Sequence, residues 1–131
     1  MPKRSRSSKK DPKVRIAHIL DSIDAVESYL DGMTLESFTR DAKTQDAVTR
    51  RLEIIGEAVK SLDSLVPELL AGHPDVPWKS IKGMREKLAH DYDTVSVTIL
   101  WNTATRELPL LRGAVRMLAQ EAKLSWPDAD G

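Results

Sequence analysis

Apolar residues recur at intervals of three and four along most of this chain, and the alternation that marks strands is essentially missing. That spacing belongs to helices with one buried face. Asp11-Pro12 opens the first helix, with aspartate as the cap and proline at the first helical position. Ile16, Ile19, Leu20, Ile23, Val26 and Leu30 continue it, and Gly32 marks the stop. Thr34 caps a short helix holding Leu35 and Phe38. A long helix is expected from Lys43 to Asp63, with Val48, Leu52, Ile55, Val59 and Leu62 as its stripe. Gly56 interrupts that pattern at a cost of about 1 kcal/mol relative to alanine. Either another helix packs closely there or the glycine is simply tolerated. Pro67 begins one further turn ending near Gly72, and His73-Pro-Asp-Val-Pro77 reads as a stiffened connector. Trp78 through about Tyr92 forms the next helix, broken at Asp93-Thr94. Ser96 caps the last, which carries Val97, Leu100, Trp101 and Ala104. Pro109 should kink or divide it before Leu110, Leu111, Ala114, Val115 and Leu118 resume the stripe. The expected fold is an all-α bundle of about five helices.

The 131 residues suit one domain with one core, and 40% apolar with 31% charged residues is an ordinary soluble balance. The absence of cysteine excludes disulfides and thiolate chemistry. His18, His73 and His90 are too scattered for a zinc-ligand pattern, so neither metal nor cofactor is expected. No apolar run approaches the roughly 20 residues of a membrane span, and the first residues lack a secretory segment. A cytoplasmic protein without membrane contact is the expectation. The net charge of zero conceals an asymmetry: residues 1–15 carry seven basic side chains and one acidic one, leaving the remainder at −6. Residues 1–11 read as a basic disordered tail, 12–122 as the helical domain and 123–131 as a flexible end. A basic tail could hold RNA phosphates; the plain reading is a solvated terminus.

The segment Arg85-Glu-Lys-Leu-Ala-His90-Asp-Tyr92 carries the candidate chemistry. An arginine holds phosphate, a histidine moves protons near neutral pH, and a tyrosine hydroxyl donates a hydrogen bond or accepts a modification. At about 100° per residue, Arg85 and Tyr92 share a face, whereas His90 lies roughly 140° from Arg85. One straight helix therefore does not bring all three onto one phosphate. Singly, each has a plain structural explanation: a surface ion pair for Arg85, a favourable helix-end position for His90, a half-buried ring for Tyr92. Trp78 and Trp101 could stack on bases, although both sit in apolar helical patterns that point to packing.

The spacing of Arg85, His90 and Tyr92 resembles the motif of the HEPN ribonuclease superfamily, and of its HepT-like toxins in particular. Ala47-Val48 with Arg51-Leu-Glu-Ile-Ile-Gly-Glu-Ala58, then Pro77-Trp78, Gly83-Met84-Arg85, Trp101 and Leu108-Pro109, are similar to further landmarks of that family. The likeness runs from about Pro12 to Leu118. It implies a HEPN-like bundle packed as a homodimer, in which two motif helices build a composite site. It implies a metal-independent endoribonuclease, the toxin of a toxin–antitoxin pair: Arg85 would hold the scissile phosphate and His90 would assist proton transfer as the ribose 2′-OH attacks. It also implies an MntA-like nucleotidyltransferase antitoxin that silences the toxin by transferring AMP to Tyr92. One position departs from the pattern, since Glu86 stands where Asn, Asp or His usually follows the arginine. Its carboxylate could accept hydrogen bonds or pair with Arg85. It favours a second reading, a non-catalytic helical module partnering a minimal nucleotidyltransferase. A third treats the chain as a dimeric scaffold with a basic tail that tethers RNA.

Overall fold

The computed structural model describes residues 11–90 and 96–125. The expected basic tail, Tyr92 with its flanking aspartates, the break at Asp93-Thr94 and the last six residues lie outside the described residues. Among the described residues, seven α-helices follow in chain order: α1 (Pro12–Leu30), α2 (Leu35–Thr39), α3 (Ala42–Leu65), α4 (Pro67–Ala71), α5 (Trp78–His90), α6 (Val97–Asn102) and α7 (Leu108–Ser125). No strand occurs among the described residues. The all-α bundle read from the sequence is what forms.

The helix starts are set by side-chain caps. Asp11 accepts from the Lys13 N–H at 2.9 Å ahead of Pro12. Thr34 and Ser37 cap each other's backbone reciprocally at the head of α2. Ser96 accepts from the Thr98 N–H at 3.0 Å. Each satisfies a donor that the first helical turn leaves without a partner. Between α1 and α2, Gly32 sits at φ 75°, a conformation that residues with a side chain rarely adopt.

Asp41 caps α3, which starts at Ala42, one residue earlier than expected. Its carboxylate accepts from the Thr44 N–H at 3.0 Å and the Thr44 hydroxyl at 2.7 Å. These bonds, the backbone one first, hold the carboxyl below its ordinary value. A depressed value in the folded state means stability that is present at neutral pH and lost as acid protonates the group. Asp41→Asn keeps a capping oxygen but removes the titration. The variant is expected to lose less stability than wild type below about pH 4, as read from thermal melts at descending pH.

Helix α3 runs through the middle of the bundle, with α1 and α5 as its principal neighbours, and α1 also packs against α7. Its predicted stripe is the core: Val48, Leu52, Ile55, Val59 and Leu62 are all buried, facing Ile16, Ile19, Ile23 and Val26 of α1. Gly56 is buried as well, which fits close helix approach better than tolerance. Arg112 of α7 clasps α1 by donating to Asp24 at 2.7 Å and to Glu27.

The division expected at Pro109 takes a specific form. Thr103–Glu107 is π-helical, and the Leu108 N–H donates to the Thr103 carbonyl, five residues back. A proline ring would collide with the carbonyl four residues earlier in a regular helix, and a widened turn relieves that conflict. Beyond it, Leu108, Leu111, Ala114, Val115 and Leu118 are buried. Leu110 departs from the expected stripe and is 55% exposed. It lies two residues, or about 200°, around the helix from Leu108.

Candidate functional site

Helix α5 carries the motif, and its apolar spacing fixes how it lies. Ile81, Met84 and Leu88, at intervals of three and four, are buried and turn one face onto α3. The entry to the helix is pinned separately. The Trp78 indole N–H donates to the His73 carbonyl at 2.9 Å, and the His73 ring meets Glu121 of α7 at 3.4 Å. Lys82 reaches across to Asp63 of α3 at 2.6 Å. Both ends of the first two turns are thus tied to the bundle.

Arg85 and His90 both lie on this helix; their side chains, like Tyr92 as a whole, fall outside what the structure describes. Helical register still places the positions. On an ideal helix of about 100° per residue the two positions stand roughly 140° apart. Glu86 is exposed.

A groove lies between α5 and α3. Lys60 from α3 and Lys79, Lys82, Gly83 and Glu86 from α5 line it, around a volume of about 350 Å³. This cluster was not singled out from the sequence, because Lys60 and Lys79 are 19 residues apart and meet only when α3 and α5 pack. A second concavity lies between α1 and α3, lined by Arg15, His18, Arg50, Glu53 and Glu57, with charges of both signs.

Both tryptophans weighed as base-stacking groups are occupied in packing. Trp101 lies 5.4 Å from the buried Phe38 ring at a tilt of 44°, and Trp78 is partly buried against the core.

Comparison with known proteins converges on one family. The family model described as Ribonuclease HepT-like matches residues 19–118, a span that contains α5 and the whole Arg85–His90 motif. A candidate RNase of Caldanaerobacter subterraneus subsp. tengcongensis is 40% identical over 114 residues, covering 87% of this chain and 99% of that protein. A probable ribonuclease HepT of Thermococcus cleftensis is 38% identical, covering 84% and 97%. A candidate RNase of Methanocaldococcus jannaschii is 37% identical, covering 77% and 81%. No solved structure matches the chain.

Proposed function

This chain belongs to the HepT-like ribonuclease family, and from that premise we propose that it is a metal-independent endoribonuclease, the toxin of a toxin–antitoxin pair. The observation that carries the reading is the Arg85–His90 motif on a helix inside the matched span. The ribose 2′-OH attacks the adjacent phosphorus and loses its proton. The bond to the 5′ oxygen breaks, and that oxygen takes up a proton. The products are a 2′,3′-cyclic phosphate and a 5′-hydroxyl. Arg85 binds the phosphate and stabilises its developing charge, and His90 assists one of the two proton transfers. RNA is the substrate because DNA lacks the attacking hydroxyl.

A homodimer resolves the divergence of Arg85 and His90, since a second motif helix supplies what the first turns away. A two-fold pairing is the usual form of a soluble homo-oligomer. Co-purified heterodimers of Arg85→Ala with His90→Ala are expected to regain part of the activity that each homodimer lacks, because one of the two sites then holds an intact Arg85 and an intact His90 from different chains. No recovery in the mixed dimer would show that both groups come from the same chain.

The proposed silencing partner is an MntA-like nucleotidyltransferase that transfers AMP from ATP to the Tyr92 hydroxyl, releasing pyrophosphate. The added nucleotide would place bulk and negative charge beside the phosphate site. Intact mass of the chain co-produced with such a partner should rise by whole AMP units, and the gain should vanish in Tyr92→Phe. Persistence of the gain in that variant would move the modification elsewhere.

A further inference from the structure

The groove between α3 and α5 has chemistry that neither the motif nor the core requires. Its lining carries three lysines and one carboxylate. Lys82 is already answered by Asp63 at 2.6 Å. Lys60 and Lys79 are exposed, with no ion-pair partner among the described residues. Two uncommitted ammonium groups from different helices thus converge on one concavity. Such groups repel one another, and an anion between them offsets that repulsion.

The floor supplies a second observation. Gly83 lies within α5, where glycine costs about 1 kcal/mol relative to alanine. It is exposed, and a Cβ added there would meet nothing within 4 Å. Packing within the chain therefore does not explain it. A bare helix backbone between lysines does suit a chain of phosphates that must approach closely.

The groove also has a direction. Lys79, Gly83, Glu86 and His90 are spaced by four, three and four residues, which is one stripe of a helix. From Lys79 to His90 the stripe runs about 16 Å at 1.5 Å per residue, room for about five stacked nucleotides at 3.4 Å each. We infer that this groove is the track for the single-stranded RNA backbone flanking the cut: Lys60 and Lys79 hold its phosphates, Gly83 forms its floor, and the strand runs along α5 toward His90. The inference rests on the ribonuclease reading and adds to it the path of the substrate.

The test uses the full chain and a labelled 20-nucleotide single-stranded RNA, with binding measured across a salt series and cleavage measured in parallel. Removing two phosphate contacts from a single strand lowers the steepness of log affinity against log salt by about 1.4. Lys60→Ala/Lys79→Ala should show that flattening, with KM raised several-fold and kcat within about twofold. Arg106→Ala/Arg116→Ala removes the same charge from exposed positions outside the groove, and should leave the slope in place. Gly83→Leu should weaken RNA binding while its thermal melt shows a folded protein of wild-type oligomeric size. If wild type cleaves RNA but the lysine double variant keeps the wild-type slope and KM, the track is wrong. A change of oligomeric size in Gly83→Leu would assign the groove to contact between copies and overturn the inference. If wild type itself neither binds nor cleaves RNA, the ribonuclease reading has failed first.

Discussion

Replacing Arg85 or His90 by alanine is expected to lower RNA cleavage about 10²- to 10⁴-fold each, with the fold kept. The size follows from the roles. A positioned acid–base group contributes roughly 10²–10⁴ in rate, and a preorganised charge on a developing oxyanion contributes a similar amount, about 10²–10³. The described apolar stripe of α5, Ile81, Met84 and Leu88, is untouched by both changes, so the helix should survive them. The two losses should not multiply in the double variant, because groups that act in one transition state fail as a unit. Single-turnover rates for the three variants, with circular dichroism as the folding control, read this directly. A loss below tenfold in either single variant would remove that residue from the chemistry.

Phe38→Ala is expected to have the largest effect on stability. The ring is fully buried and packs at 5.4 Å against Trp101, so it joins α2 to α6. Truncating a buried phenylalanine costs about 3–5 kcal/mol through lost transfer energy and the cavity left behind. A domain of this size has roughly 5–15 kcal/mol in total, so the variant should unfold at much lower urea. The comparison that isolates burial is Leu35→Ala. Leu35 is on the same short helix but 37% exposed, and its loss should cost well under half as much. Equal midpoints for the two variants would contradict the packing described for α2.

These two expectations differ in how far the sequence alone could reach them. The helix starts were legible because Asp11, Thr34 and Ser96 each place a side-chain acceptor at the head of an apolar stripe, a purely local signal. The stripe of α3 was legible because five apolar residues at helical spacing leave one face to bury. Gly56 was open between two explanations, and its burial favours close packing. Other features depend on contacts between elements far apart in sequence. The clasp of Arg112 on Asp24 spans 88 residues, and no local pattern announces it. The π turn before Pro109 was foreseen only as a kink or a division, since a proline dictates that the regular ladder fails but not how the backbone yields. Leu110 joined the expected stripe because it neighbours Leu111, whereas the buried face passes through Leu108 instead.

The candidate site divides in the same way. Arg85, Glu86 and His90 were legible as a motif, and register alone showed that Arg85 and His90 diverge on one helix. The structure places Glu86 on the exposed, groove-lining side of α5. That position is about 100° from Arg85, so groove contact competes with the pairing to Arg85 that the sequence left open. The groove itself was invisible to sequence reading. Lys60, Lys79 and Lys82 look like the solvated charges of two separate helices until packing sets them around one concavity.

The central claim is metal-free cleavage by the ribose 2′-OH. Its most direct test is a pair of matched oligonucleotides incubated with the purified, unmodified chain in excess EDTA. One is RNA throughout; the other carries a single 2′-deoxy nucleotide on the 5′ side of the mapped cut. The account predicts cleavage of the first, leaving a 2′,3′-cyclic phosphate, and none of the second at that bond. Cleavage of both at equal rates, or of neither until a divalent metal is restored, would contradict it.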